Sequence, residues 1–391
     1  YGAYRNDPSA NPGLPVGAAA PAPYVNLVDP GFRTPSIWKA SASYRRSLGD
    51  RLTLTGTLLY TRTTDDYMYT DRNLRATPAF TLSNEENRAV FVPATTIDAQ
   101  GRTLNANALA SSQLGRVLEL TNTGDGTQYA EILEGTALLP RGIALTGSYT
   151  HNNANDNTTF GCCLARTSTT FTAIKSDPRD LSGSWGPSDT DFRHKFVVAG
   201  SIPLGWGVLL GGRYVGTNGR TFSAIVNGDI NGDEATSNDL AFVFDPDDPT
   251  TPPAVAASMR KVLDNPRNVA RDYLRANLGH IASRNGAFAP WTERIDARLA
   301  KTIHTLRGQS AEIGLDVFNV ANLINHNWGA EYDLPIGISN QNPVVQRIPL
   351  LNVVGFNQTT HQYLYTVNEN FGVLQKTGNP YQIQLAVRYG F

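Results

Sequence analysis

The chain closes with Tyr381-Gln-Ile-Gln-Leu-Ala-Val-Arg-Tyr-Gly-Phe391, in which every odd position carries an apolar or aromatic side chain. The even positions are Gln, Gln, Ala, Arg and Gly. This strict period of two gives a strand one apolar face and one polar face. The segment is about as long as a tilted strand that crosses a bilayer, and aromatic residues stand at both ends, where the membrane interfaces would lie. The pattern favours a membrane-spanning strand, although an edge strand of a soluble sandwich would share it.

The composition is compatible with a barrel that has a polar lumen. No run among the 391 residues approaches about eighteen consecutive apolar residues, so no transmembrane helix is predicted. Apolar residues make up 40% of the chain, which suits a barrel because only every second strand residue faces lipid. The formal net charge is −1. The sequence therefore lacks the basic stripe that nucleic-acid binding requires, and no nucleic-acid partner is expected.

The same alternation recurs along the chain, and the connections between the predicted strands are short and long in turn. The earlier predicted strands lie at 37–46, 52–61, 129–139, 143–150, 196–202, 206–214, 295–299 and 313–317. Short turns are predicted at 47–50, 140–142, 203–205 and 306–309. Sequential antiparallel strands with short periplasmic turns and long extracellular loops are typical of outer-membrane barrels. Soluble sandwiches do not sort their connections in this way.

Strand direction indicates what part of a barrel this is. The last strand descends from a long loop, and counting back gives the same direction for the strand at Ile37, so residues 1–36 are predicted to be an extracellular loop. Two strands of one direction cannot close a barrel by antiparallel pairing, and lipid tolerates no open edge. The predicted fold is all-β: residues 1–391 form the C-terminal portion of a larger transmembrane antiparallel barrel, with about nine strands and no visible plug domain.

Two features qualify this organisation. A further strand could be hidden in a loop, for example at Arg116–Thr121 before a turn at Gly124-Asp-Gly126. The sequence also shows no signal peptide, which an exported protein would need, so the N-terminus is expected to be mature or truncated.

Side-chain direction follows from the same register. Val208, Leu210, Ile383 and Leu385 are predicted to face lipid, and Arg298, Gln384 and Arg388 to face the lumen. Arg294, Asp296 and Arg298 would form lumen ion pairs or contact a plug. The residues expected to form interfacial belts are Trp38, Tyr44, Tyr60, Tyr149, Trp206, Tyr214 and Tyr381.

Several segments resemble TonB-dependent outer-membrane transporters, in particular the Oar-like subgroup. The resemblance is carried by Asp177–Asp180, Trp185–Phe196, Asn227–Asp233, Ser237–Asp239, Trp291–Lys301, Leu315–Asn322 and the C-terminal strand. The family barrel has about twenty-two strands and a plugged lumen, which 391 residues cannot contain with loops this long.

The resemblance implies localisation in the outer membrane, ligand binding at the cell surface, and import that is powered by the TonB complex through an N-terminal part missing here. The C-terminal strand resembles the signal that the barrel assembly machinery reads, so this machinery and outer-membrane lipid are expected partners. The extracellular ligand is not identified. A passive porin-type barrel and a surface adhesion or structural protein are the alternative functions.

No catalytic constellation stands out, and the chain is not expected to be an enzyme. None of the six histidines shows the spacing to glutamate of a metalloprotease, while a Ser/His pair on neighbouring outer strands is the alternative left open. The adjacent Cys162 and Cys163 do not suit an ordinary disulfide. A strained vicinal disulfide and two free thiols both remain open, and zinc would lack ligands.

Asp229, Asn231 and Asp233 stand at alternate positions and form the candidate metal site. Oxygen side chains with this spacing suit a hard cation such as calcium, and Gly228 and Gly232 would allow the loop to curl. The alternative is a solvated turn of Asp, Asn and Gly residues. No other cofactor is predicted, and the substrate-binding residues are unknown.

The acidic segment departs from an EF-hand. Glu234 stands where the invariant glycine should be, and Leu240 where the bidentate glutamate should be. Asn238 or Asp239 would have to complete a different kind of site.

Overall fold

The computed structural model describes residues 22–158, 164–304, 309–333, 347–378 and 380–390. Its strands are β1 (Val25–Val28), β2 (Ser36–Leu48), β3 (Leu52–Asp71), β4 (Phe80–Leu82), β5 (Arg88–Val90), β6 (Val117–Leu139), β7 (Ile143–Asp156), β8 (Gly186–Pro187), β9 (His194–Gly205), β10 (Val208–Thr217), β11 (Thr221–Asn227), β12 (Ala287–Phe288), β13 (Thr292–His304), β14 (Ser310–Phe318), β15 (Glu331–Asp333), β16 (Arg347–Asn357), β17 (Gln362–Val367), β18 (Gln375–Thr377) and β19 (Gln382–Gly390). Its α-helices are α1 (Ala165–Phe171), α2 (Pro253–Asp264), α3 (Arg271–Ala276) and α4 (Val320–Ile324), and its 3-10 turns are Ala94–Thr96, Asn105–Ala108, Pro140–Gly142 and Ser182–Ser184. None of the described helices is long and apolar enough to span a membrane.

Nine long strands form one antiparallel sheet, called the wall sheet below, in the order β19-β14-β13-β10-β9-β7-β6-β3-β2. Each strand pairs with its predecessor in this chain-ordered series, as the sequence predicted. Strands β2 and β19 form the two edges of the sheet as described. Because an even number of direction reversals separates them, they run in the same direction and cannot pair with each other in an antiparallel manner.

Successive antiparallel pairing places the short turns at one rim and the long connections at the other. The turns that join β2 to β3, β6 to β7, and β9 to β10 lie at this first rim. The predicted fourth turn, at 306–309, falls mostly outside the described residues, but its flanking strands β13 and β14 pair as an antiparallel hairpin. The described turns agree with the predicted division between periplasmic turns and extracellular connections.

The turn predicted at 203–205 is displaced by a few residues. Strand β9 continues through Gly205, and the turn proper consists of Trp206 and Gly207, with φ of 48° and 74°. Two positive φ values are the mark of a type I′ hairpin turn, which matches the twist of the flanking strands. Trp206 was predicted to open the next strand, but it lies in the turn with 93% of its surface exposed.

The predicted turn at Gly124-Asp-Gly126 is absent, because β6 runs unbroken from Val117 to Leu139. The predicted hidden strand is therefore the extracellular end of β6. The irregularity lies in the partner strand, where Asp65 has a φ of 56° and the register with β6 shifts on both sides of Asp66. Gly124 allows the bulged backbone to approach, since a Cβ atom at this position would lie 2.7 Å from the Cβ of Asp66.

The apolar face of the wall sheet carries a row of leucines. Leu210, Leu299, Leu315 and Leu385 lie side by side on four neighbouring strands. The row lies midway between aromatic residues along the strands, for example between Tyr381 and the tyrosine near the end of β19. Such a row fits the middle of the lipid-facing band.

The next row of the same strands is polar and occupies the opposite face. Gly211, Arg298, Asp316 and Gln384 lie side by side in it. A groove opens on this side of the sheet, which is the face predicted to line the lumen and is called the lumenal face below. The predicted division between lipid-facing and lumen-facing positions is therefore consistent with the register.

The long connections do not behave as the polar loops that the sequence suggested. The described parts of residues 72–116, 157–193, 218–291 and 319–381 pack together, and we call them the extracellular assembly. They contain the α-helices and a second sheet of order β12-β11-β16-β17. Their core includes Leu82, Val90, Phe91, Phe222, Val226, Ile230, Met259, Leu274, Leu350, Leu351 and Phe371. The assembly thus has a hydrophobic core of its own, outside the wall sheet.

The described part of the predicted loop 1–36 lies against this assembly. Strand β1 pairs in parallel with the extracellular end of β6, from Val117 to Leu120. The Tyr24 hydroxyl donates to the Glu234 carboxylate at 2.7 Å. Residues 1–21 and the cysteines at 162 and 163 lie outside the described residues.

Candidate functional site

The acidic loop, residues 227–239, follows β11 and is enclosed by the extracellular assembly. Asn231 and Asp239 have no exposed surface, and Asp233 is 3% exposed. Two of the three predicted residues, Asn231 and Asp233, are thus buried by the surrounding connections, whereas Asp229 is half-buried. Carboxylates that are removed from water in this way require hydrogen bonds and compensating charge.

The backbone of the loop curls as its glycines suggested. Gly228 and Gly232 have φ of 145° and 89°. Glu234 also has a positive φ, of 76°, although it carries a side chain. It occupies the sixth position counted from Asp229, where an EF-hand uses glycine for its sharp turn.

The first aspartate of the loop binds the backbone that follows it. The Asp229 carboxylate accepts hydrogen bonds from the backbone N–H of Gly232 at 2.6 Å and of Glu234 at 3.0 Å. The amide oxygen of Asn231 accepts from the backbone N–H of Asp233 at 2.9 Å. These local hydrogen bonds turn the oxygen-bearing side chains towards the inside of the loop.

The later part of the loop completes the network. The Asp233 carboxylate accepts from the backbone N–H of Ala235 and from the Asn238 side-chain amide, both at 2.8 Å. The Asp239 carboxylate accepts from the Asn231 side-chain amide at 2.8 Å and from the backbone N–H of Ile230 at 3.2 Å. The structure thus brings the three predicted residues together with Asn238 and Asp239.

Burial makes the carboxyl groups of the loop harder to ionise. It raises the pKa of Asp229 to about 7, and the nearby charge of Asp233 adds to the effect. Burial also raises the pKa of Asp233, against the opposing influence of Arg116. The pKa of Asp239 is raised well above its usual range by burial and by Asp233, with Arg88 opposing. The loop therefore holds more negative charge than its surroundings readily accommodate.

Sequence reasoning identified Asp229, Asn231 and Asp233 but assigned no definite role to Asp239 and overlooked Tyr363. Tyr363 is far from the loop along the chain, so nothing in the sequence indicated that its hydroxyl lies within electrostatic range of Asp229 and Asp239. Among the described residues, no three His, Cys, Asp or Glu side chains are arranged to hold a metal ion. A cation at this loop would therefore depend on amide and carbonyl oxygens as well as carboxylates.

A second candidate surface is the groove on the lumenal face of the wall sheet, with a volume of about 430 Å³. The Arg298 guanidinium contacts the Asp316 carboxylate at 2.7 Å and the Glu312 carboxylate at 2.9 Å. Arg294 pairs with Asp296 at 2.9 Å. The predicted lumen ion pairs are thus present. The groove residues include Thr146, Ser201, Arg213, Asp296, Arg298, Asp316 and Phe318.

Comparison with known proteins supports the architecture. Residues 3–384 match the family described as the outer membrane beta barrel domain. The chain belongs to this family. Outer-membrane localisation follows from this family membership.

The chain is also similar to a solved structure, the outer membrane transporter YddB from Escherichia coli, at 9% sequence identity and a TM-score of 0.45. The similarity covers 94% of this chain and 34% of the transporter, so the chain spans about a third of that protein's length. No curated protein sequence matches the chain.

Proposed function

We propose that this chain forms the C-terminal barrel wall of a TonB-dependent transporter of the Oar-like subgroup. The transporter would bind a ligand at the cell surface and import it across the outer membrane. The proposal rests on the presence of two features in the same chain. A charged lumenal wall with a groove lies on the wall sheet, and a folded extracellular assembly lies at its outer rim.

The extracellular assembly supports ligand recognition because it is built around a packed core. A preformed surface loses less conformational entropy on binding than a set of flexible loops does. The assembly draws its core from residues of three long connections, so it can present side chains from distant parts of the chain on one surface.

The lumenal wall supports a plugged barrel. Charged side chains at membrane depth mark pathways or contacts with other polar groups. A compact ion-pair cluster on the inner face is formed by Arg298, Asp316 and Glu312. Because this cluster is polar, a plug or a hydrated pathway can contact it without placing polar groups against an apolar surface. The same direction of β2 and β19 supports closure by further strands of a larger barrel.

The partners follow from this proposal. The TonB complex would act on an N-terminal part, and the barrel assembly machinery would recognise β19. Two rival functions remain testable. A passive porin would use the polar lumen as an open channel, and an adhesion or structural protein would use the extracellular assembly as a contact surface.

The test uses the full-length protein purified from outer membranes and reconstituted into liposomes. Swelling in arabinose measures passive diffusion, and retention of the purified periplasmic domain of TonB measures coupling. The transporter proposal predicts swelling equal to that of protein-free liposomes together with retention of TonB. Rapid swelling would identify a porin. No swelling and no retention would overturn the proposal in favour of the adhesion or structural role.

A further inference from the structure

Glu234 of the acidic loop pairs with Arg166 at 3.0 Å, but among the described residues no basic side chain forms a salt bridge with the three aspartates of the loop. Two buried arginines lie near the loop: Arg116 acts on Asp233 and Arg88 acts on Asp239. Arg116 pairs with Asp71 at 3.0 Å, and Arg88 pairs with Glu85 at 3.1 Å. Each arginine thus already neutralises a carboxylate outside the loop. Buried carboxylates without a cation of their own repel one another strongly, since the local dielectric is low.

Two buried oxygen atoms beside the loop independently point to a ligand. The amide oxygen of Asn238 and the hydroxyl of Tyr363 have no hydrogen-bond partner, and these residues are 0% and 3% exposed. Leaving a buried polar group unpaired costs about 1–3 kcal/mol. An orphaned oxygen in a native structure therefore calls for a physical explanation.

Both oxygen atoms belong to side chains that lie at or near the acidic cluster. The side-chain nitrogen of Asn238 donates to the Asp233 carboxylate at 2.8 Å, so its amide group lies against that carboxylate. Burial raises the pKa of the Tyr363 hydroxyl, and the nearby charges of Asp229, Asp239 and Glu85 add to the effect, which places this hydroxyl near the acidic cluster. Unused oxygen atoms thus lie beside surplus negative charge.

We propose that the acidic loop binds one hard divalent cation, of the calcium type, through oxygen atoms of Asp229, Asp233 and Asn238. Hard cations of this type take six to eight oxygen ligands from carboxylates, amides, backbone carbonyls and water. The cation offsets the surplus charge and gives the orphaned amide oxygen a partner. This site is additional to the proposed transport function and does not depend on it.

The position of the loop gives the cation a structural role. The backbone carbonyl of Asn231 accepts from the N–H of Phe91 in the first long connection at 2.8 Å. The carbonyl of Asn238 accepts from the N–H of Ile174 in the second connection at 2.8 Å, and Tyr363 comes from the fourth. The loop itself belongs to the third connection. The loop that holds the cation is thus hydrogen-bonded to the first and second connections and lies near Tyr363 of the fourth. Removal of the cation is therefore expected to loosen the extracellular assembly without unfolding the wall sheet.

The test uses the full-length protein in detergent, freed of metal with a chelator and titrated with Tb³⁺ alone. Tyrosine-excited emission is expected from one saturable site, and calcium is expected to compete for it. Asp233→Asn should weaken binding roughly tenfold or more, because the charge of the ligands sets affinity in such sites. Asp272→Asn is the matched control, since its side chain is fully exposed on α3. Tyr363→Phe should reduce the emission and leave the affinity for calcium nearly unchanged.

Two results would overturn the proposal. One is a wild-type protein that binds no calcium at about 1 mM, a concentration that matches the dissociation constants of the weakest extracellular calcium-binding modules. The other is an Asp233→Asn protein that binds as the wild type does, because the cation would then lie elsewhere. Heat-dependent mobility on gels checks that each variant is a folded barrel. If Asp233→Asn does not fold, Asn238→Ala replaces it, with the same expected loss of affinity.

Discussion

Arg88→Met is expected to destabilise the extracellular assembly by about 3–5 kcal/mol, the usual result of removing one partner from a buried ion pair. Arg88 has no exposed surface. Its guanidinium pairs with the Glu85 carboxylate at 3.1 Å and donates to the backbone carbonyls of Leu240 at 2.6 Å and Lys175 at 3.1 Å. The substitution leaves the buried Glu85 carboxylate without its cation and two carbonyl groups without their donors.

Hydrogen exchange of the full-length protein in detergent measures this effect. Peptides of the extracellular assembly should exchange faster in Arg88→Met, while those of the wall sheet should remain protected. Arg102→Met is the matched control, because Arg102 also pairs with an acidic residue, Asp98, but with its side chain 77% exposed. Exposed pairs contribute little. Equal exchange in the two variants would show that the buried pair does not hold the assembly together.

Leu210→Arg is expected to impair insertion of the barrel, at a cost of about 2–4 kcal/mol for an arginine near the bilayer midplane. Leu210 lies in the row of leucines on the apolar face, beside Leu299. An arginine there must leave its charge in lipid or distort the bilayer to reach water. The measurement is the free energy of folding into lipid vesicles, from titration with denaturant.

Gln384→Arg is the control for this substitution. Gln384 lies in the neighbouring polar row, directly opposite Asp316 on the next strand. A new arginine there faces the lumen and has a carboxylate within reach, so we expect a much smaller loss. Comparable losses from the two substitutions would contradict the assignment of the faces.

The wall sheet could be predicted from the sequence because each of its strands carries its own signal. Alternation with a period of two is local, and the row of Leu210 and Leu385 follows once the register is set. The sequence prediction was wrong at two positions where the local residue pattern does not indicate the backbone conformation. Trp206 continues the alternation of aromatic residues, but it lies in the turn with a positive φ. Gly124 is a residue type common in turns, but here it lies within a strand and allows the neighbouring strand to approach closely.

The extracellular assembly could not be predicted in the same way. Its core joins Phe91, Phe222 and Phe371, which come from three different connections and share no period. The burial of Asp233 follows from this tertiary packing and not from its own sequence neighbourhood. The spacing of Asp229, Asn231 and Asp233 indicated oxygen ligands, but the orphaned oxygen atoms became visible when distant segments were brought together.

The central claim is that β19 lies in a barrel wall with one face in lipid and the other towards the lumen. Single cysteines placed in turn along residues 382–389, in full-length protein whose Cys162 and Cys163 are replaced by serine, can carry spin labels in lipid vesicles. Collision rates with oxygen and with a water-soluble nickel chelate then report the surroundings of each position. We predict that oxygen access peaks at 383, 385 and 387, and that chelate access peaks at 384, 386 and 388. Collision rates without this period of two, or with the opposite phase, would contradict the claim.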